Sequence, residues 1–243
     1  MTESYYISTF MVCIRQRIVI LQPMITKNIL RFLSSIKKNN NKAWLDANRG
    51  LYDDSKAEFT AAVAELLKGI AAFDNAFINL TPKECMFRLN RDVRFSKEKH
   101  PYKTNYAAYF NPAGKKGDGA GYYIHIEPGN SFAAAGIWQP PTEHLAKIRQ
   151  EIDYNLDEWN KLLKEKKFKT AFSNGFSMSE RLVRAPKGYD ESNPGIEFLK
   201  MKSFVITRKF TDEELLDKNF LKSLTKTFES AKPFISFINR ALD

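Results

Sequence analysis

The sequence predicts an α+β fold, with an antiparallel sheet from the middle of the chain packed against N-terminal and C-terminal helices. Three observations predict it. Apolar residues recur at helical spacing through about residue 73 and again beyond residue 142. Between about residues 75 and 140, aromatic and β-branched residues punctuated by Gly, Pro and Asn replace the helix formers. The 243 residues, 43% hydrophobic and 27% charged, suffice to bury one full core in an ordinary globular chain.

The opening stretch, "MTESYYISTFMVCIRQRIVILQP", is apolar from Tyr5 to Ile14. Glu3 stands where a signal peptide needs positive charge, and Arg15 and Arg17 break the run too early for a membrane span. Pro23 and Met24 then open a new helical pattern. The expectation is a native start at Met24, with 1–23 an over-called extension and 24–243 a single α+β domain. The competing reading is a genuine extension that adds a strand.

Ile29, Leu30, Leu33 and Ile36 keep helical spacing, and "KNNNK" supplies the turn formers that close the first helix. One long helix is expected from about Lys42 to Phe73. Tyr52, Phe59, Val63, Leu66, Leu67 and Ile70 form its core stripe, with Lys56, Glu58 and Glu65 off it. "CMFRL", "NYAAYF", "YYIHIE" and "SFAAAGIW" read as consecutive antiparallel strands. Thr142 is placed to cap a helix through Ile148 and Ile152, and another helix covers about Asn155 to Glu165. "SFVITRKF" is a last strand before Thr211 and Glu214, which have capping-box spacing. A final helix buries Leu221, Leu224, Phe228 and Phe237. No internal repeat, low-complexity segment or interdomain linker interrupts the pattern.

The formal charge of +10 favours anionic partners. The two cysteines, Cys13 and Cys85, make neither a disulfide framework nor a metal-ligand spacing, which fits a reducing cytoplasm. His100, His125 and His144 are too scattered for a metal site, and no dinucleotide, nucleophile-elbow or zinc-protease motif occurs. No cofactor and no membrane partner is therefore expected.

Positive charge gathers in "RLNRDVRFSKEKHPYK", residues 88–103, which holds three arginines, three lysines and a histidine against one aspartate and one glutamate. Its pattern over Arg88, Arg91, Asp92, Arg94, Phe95, Lys99 and Tyr102 is R-x-x-R-D-x-R-F-x-x-x-K-x-x-Y. That pattern resembles the signature of a bacterial family, domain of unknown function 2461. "NNNKAWLDANRGLY", "GYYIHIEPG", "AGIWQPP", "RAPKGYD" and "FLKMKSF" are similar to further blocks of that family, so the resemblance runs from about Ile25 to the C-terminus and omits 1–23. Glu98 stands where the family often has aspartate, and His100 where a small hydroxyl residue is common. The resemblance implies no activity to carry over.

The role of the motif must come from its chemistry. Arginine forks suit carboxylate or phosphate, and lysine adds a compact charge. Arg88 follows Phe87 and precedes Leu89, both expected to face the core, so its side chain is expected on the opposite face. Asp92, between Arg91 and Arg94, is expected to pin one guanidinium as part of a buried pair, leaving another for ligand. Phe95 is expected to anchor the segment, and Lys99, Tyr102 and Lys103 to complete the site. The competing reading is an internal Arg–Asp network that fixes a loop to the sheet.

In "YYIHIE", Tyr122, Ile124 and Ile126 share one face and Tyr123, His125 and Glu127 the other. The second set is either a row able to do acid–base chemistry, His125 tuned by Glu127, or a solvent-facing mixed strand. The glycine run 113–123, with Lys115 and Lys116, reads as a hairpin loop able to cover a neighbouring site. Arg181, Arg184 and Lys187 form a second basic turn, and Trp138 is a candidate for a cleft wall or for the core. Two functional classes follow: a protein, either an enzyme or a binding protein, for a phosphorylated or carboxylated small ligand held by Arg88, Arg91, Asp92, Arg94, Lys99, Tyr102, Lys103, Tyr123, Arg181 and Lys187, or a nonspecific nucleic-acid-binding module. A third is a structural protein with a purely internal basic network.

Overall fold

A computed structural model describes residues 25–94, 100–176 and 180–243. The expected extension and start site at residues 1–24, and the motif residues Phe95 and Lys99, lie outside the described residues.

The helices are α1 (Lys27–Lys38), α2 (Lys42–Ala47), α3 (Arg49–Phe73), α4 (Pro82–Cys85), α5 (Thr142–Tyr154), α6 (Leu156–Lys164), α7 (Lys166–Ala171), α8 (Ile196–Leu199), α9 (Asp212–Leu215) and α10 (Phe220–Arg240). The strands β1 (Tyr106–Phe110), β2 (Gly121–Ile126), β3 (Ser131–Ile137) and β4 (Phe204–Phe210) form one antiparallel sheet in chain order. The expected α+β architecture is therefore present. The β1–β2 and β2–β3 connections are short, whereas residues 138–203 intervene before β4 and carry α5 to α8.

The sheet alternates as its sequence requires. Tyr106, Ala108 and Phe110 of β1 lie opposite Ile126, Ile124 and Tyr122 of β2, and the latter two opposite Ala133 and Ala135 of β3. These residues are buried, and they join the inward stripes of α1, α3 and α10 in one core that extends from Ile25 to Ile238. At the standard scale of about 25 cal/mol per Å² of apolar surface, such shared burial is the main force holding the sheet against these helices. Gly69 lets α3 and α10 approach closely, since a Cβ there would lie 2.6 Å from the Thr225 side chain.

Three local expectations are corrected. The long helix from Lys42 breaks at Asn48, whose Nδ2 donates to the Trp44 carbonyl, so the side chain competes with the helical ladder. "CMFRL" does not form a named strand. Thr81 and Glu84 make a capping box that winds Pro82–Cys85 into α4, and the chain beyond pairs only through isolated bridges. Thr142 begins α5 as its first helical residue, with Pro141 in the cap position and no side-chain cap bond.

Each of three consecutive asparagines after α1 has its own partner. Asn39 ends α1, Asn41 caps α2 through the Trp44 N–H, and Asn40 reaches the motif segment. Asn40 Nδ2 donates to the Tyr102 carbonyl at 2.9 Å, while its Oδ1 accepts from the Tyr102 N–H at 3.0 Å. Residues 86–91 and 101–108 then pair as an arm, with Arg91 N–H on the Pro101 carbonyl and Lys103 N–H on the Leu89 carbonyl, both at 2.8 Å.

Candidate functional site

The face of the sheet turned away from the core carries a cavity of about 530 Å³. Its floor is Gly121, Ala134, Gly136 and Val205, where absent or small side chains leave depth above the strands. Gly136 has φ +128°, and a Cβ there would meet the Phe204 carbonyl oxygen at 1.8 Å, so no other residue fits this backbone. The walls are aromatic: Phe87, Tyr109, Tyr123, Phe132 and Trp138. Trp138 is 52% exposed, so part of the cavity wall is open to solvent. Beside it, Gln139 has φ +44°, a conformation side chains avoid, and its N–H donates to Ser203 Oγ at 2.9 Å. The β1–β2 loop closes another side with Lys115, Gly117, Asp118 and Gly119.

Alternation along β2 sends Tyr123 and His125 to this face, and Glu127 continues the row just past the strand end. The three side chains are hydrogen-bonded in sequence. Tyr123 Oη lies 3.2 Å from His125 Nδ1, and His125 Nε2 lies 3.3 Å from Glu127 Oε2. Phe132, directly across on β3, stacks on the imidazole with centroids 4.8 Å apart and planes 16° from parallel. Thr104 Oγ1 and Asn130 Nδ2 donate to the Glu127 carboxylate at 2.9 and 3.1 Å. Asn105 Nδ2 stands 3.4 Å from His125 Nδ1 as a second donor.

The electrostatics follow from this burial. Desolvation lowers the His125 pKa below its ordinary 6.5, outweighing the neighbouring Glu127 carboxylate, so the imidazole is neutral at neutral pH. Burial alone would raise Glu127, but hydrogen bonds from Asn130, Thr104 and His125 together hold it below the usual range. Burial pushes the Tyr123 phenol up to about 12, keeping it protonated. An ionised carboxylate therefore fixes the proton of a neutral imidazole on Nε2, leaving Nδ1 to accept from Tyr123.

The arm brings two cations near Phe87, half-buried Lys103 and exposed Arg88, neither of which lines the cavity itself. Phe87 packs edge-on against Tyr123, and Lys103 Nζ lies 5.3 Å from the Phe87 ring centre. Burial, and then the charge of Arg88, lower the Lys103 pKa. Among the described residues, neither Lys103 nor Arg88 forms an ion pair. Lys115 Nζ is engaged by the Lys83 carbonyl at 2.8 Å.

The remaining predicted residues are distributed as follows. Asp92 accepts two bonds from the Arg94 guanidinium, Nε to Oδ1 at 2.9 Å and Nη2 to Oδ2 at 2.6 Å, which holds its pKa low. The partner is one of the two expected, but the pair is exposed rather than buried. Arg91 is half-buried and tied to the arm through its N–H. Tyr102 is buried in the core, so its phenol is not presented to the cavity. Phe87 faces the cavity instead of the core, because pairing of the arm with β1 lays it over Tyr123. Arg181 pairs with Glu197 at 2.5 Å, Lys187 is exposed, and neither lines the cavity. Trp138 and the glycine run do line it.

Thr104, Asn105 and Phe132 escaped sequence reasoning because hairpin register, not spacing along one strand, brings them beside His125. The run "AAAG" carried a signal for the floor, since alternate small residues cannot fill a sheet face. Among the described residues no cluster of His, Cys, Asp or Glu is fit to hold a metal ion, and no helix is long and apolar enough to cross a membrane. A family model described as a conserved hypothetical protein (DUF2461) matches residues 28–237. No curated protein and no solved structure matches the chain.

Proposed function

The chain belongs to the DUF2461 family of conserved hypothetical proteins, a description that names no reaction, and from the site itself we propose that it binds a small anionic ligand with a flat apolar body. The observation that carries this reading is the pairing of an aromatic cavity with half-buried cationic Lys103, beside Arg88. A cation kept partly out of water without a carboxylate partner is costly to maintain, and an incoming carboxylate or phosphate offsets that cost. Phe87, Phe132 and Trp138 supply faces on which a flat group stacks. The ligand-holding set is Lys103, Arg88 and Tyr123, with Arg94 and Asp92 a separate exposed pair farther along the arm.

Fluorescence of Trp138 and thermal unfolding of the full chain test this, titrated with aromatic carboxylates and mononucleotides. Saturable quenching and a rise in Tm are expected, since a ligand that binds only the folded state stabilises it. Lys103→Ala is expected to weaken binding about ten- to a hundredfold, the worth of one charge-assisted hydrogen bond. If no anion raises the Tm, the reading is wrong. Single-stranded and duplex oligonucleotides serve as the comparison. Binding that draws on net charge alone fades steeply with salt, whereas salt-resistant, sequence-selective binding would favour a nucleic-acid function instead.

A further inference from the structure

We infer that Tyr123 is a general base of this site, passing the proton it takes from a ligand to His125 with Glu127 as the stabilising anion. This rests on the ligand pocket proposed above and goes further by assigning it a reaction type, proton abstraction.

The geometry carries the assignment. Tyr123 lines the cavity and His125 and Glu127 do not, so Tyr123 is the member of the row within reach of a ligand there. Behind it, His125 and Glu127 side chains are only 14% and 16% exposed, and the chain of contacts runs one way, from phenol to imidazole to carboxylate. Stacking on Phe132 fixes the ring plane, and Thr104 and Asn130 fix the carboxylate. The Asn105 amide stands back at 3.4 Å from Nδ1, while the Tyr123 phenol lies nearer at 3.2 Å. The charged groups facing the row are Glu127, the Lys37 ammonium 3.9 Å from its carboxylate, and Lys103.

The step balances. A ligand C–H or O–H proton moves to Tyr123 Oη as the phenolic proton moves to His125 Nδ1. The electron pair of the broken bond stays on the ligand as an enolate or alkoxide. The imidazolium so formed keeps its Nε2–H on Glu127, and the nearby cation is Lys103, 5.3 Å from the ring of the cavity residue Phe87. The reverse transfer restores the resting state, and no oxidant, metal or second substrate is needed.

Benzenesulfonyl fluoride is a probe that requires no knowledge of the natural ligand. A phenol attacks its sulfur and expels fluoride only when a base removes the phenolic proton. Peptide mass spectrometry of the labelled full chain should find Tyr123 modified fastest among the ten tyrosines. His125→Gln should slow that labelling at pH 7.5 by tenfold or more, and Glu127→Gln should slow it as well, in chains whose unfolding midpoints confirm folding. The pH profile separates relay from scaffold. The wild-type rate should be level around neutrality, while the His125→Gln rate should climb with pH toward direct ionisation of the phenol, which burial places near 12. Equal rates and equal profiles in wild type and His125→Gln overturn the relay, as does an unlabelled Tyr123. If labelling fails while Trp138 fluorescence still saturates with an aromatic carboxylate, the relay falls and the pocket stands. If both fail, both fall.

Discussion

Asn40 is the residue through which the helical layer holds the cationic arm, and replacing it tests that dependence. Its amide makes two hydrogen bonds to one backbone unit, the Tyr102 N–H and carbonyl, across 62 residues of sequence. In Asn40→Ala both backbone groups lose their partner in a partly buried position. Each such bond contributes about 0.5–1.5 kcal/mol net, and leaving a buried partner unmet costs about 1–3 kcal/mol. A total loss of about 2–3 kcal/mol is therefore expected. Asn40→Asp keeps the acceptor for the Tyr102 N–H but sets a carboxylate against the carbonyl, so it should recover little of that loss. Urea denaturation measures the change as a shift in midpoint at unchanged slope. Amide hydrogen exchange locates it: the Arg91 and Lys103 N–H groups, bonded across the arm, should exchange faster while β2 and β3 stay protected. A loss below about 0.5 kcal/mol, smaller than one net hydrogen bond, would refute the claim that Asn40 anchors the arm.

Two further outcomes follow from the charges. Asp92→Asn should leave the urea midpoint unchanged, because the Asp92–Arg94 pair is exposed; a clear loss of stability would restore the buried network expected from sequence. Stability should fall as pH drops through about 6.5, the ordinary histidine value, because the unfolded chain takes up a proton that folded His125, its pKa lowered by burial, still refuses. His125→Gln should flatten this slope between pH 7 and the lower folded-state value; Glu127 acts in a separate window, its contribution present above about 4.5 and lost below as its folded-state pKa is reached. Denaturation midpoints at pH 7.5 and 5.5 that change equally in wild type and variant would contradict the burial argument for His125.

Much of this was legible before the structure. Period-2 alternation placed Tyr123, His125 and Glu127 on one face and Tyr122, Ile124 and Ile126 on the other, because a strand with one buried face leaves no freedom of register. The Thr211 and Glu214 box appears as spaced, since capping is local chemistry. What escaped was whatever depends on distant pairing. The alternation rule sent Phe87 to the core, yet the arm lays it on Tyr123. Charge density made Arg181 and Lys187 attractive, yet their turn lies away from the cavity, with Arg181 bound to Glu197. Residue type announces what a side chain can do, while burial decides whether a pair such as Asp92–Arg94 carries energy.

The two halves of the site are held by different means, and that separates their roles. The relay is assembled from one hairpin and its flanks: β2 supplies Tyr123 and His125, β3 supplies Ser131 and Phe132, and the turn between them supplies Glu127 and Asn130. Ser131 Oγ accepts from the Glu127 N–H and donates to its carbonyl, locking the turn at the end of the row. Side chains carried on paired strands keep their geometry through local hydrogen bonds, as proton transfer over 3 Å contacts demands. Lys103 and Arg88 instead ride on an arm joined to the sheet by isolated bridges and to the helices by Asn40. Loosening that arm should weaken anion binding while sulfonyl fluoride labelling of Tyr123 persists. The converse change, His125→Gln, should slow the labelling and leave anion binding to Lys103 in place. A site built as one rigid unit would lose both properties in either variant.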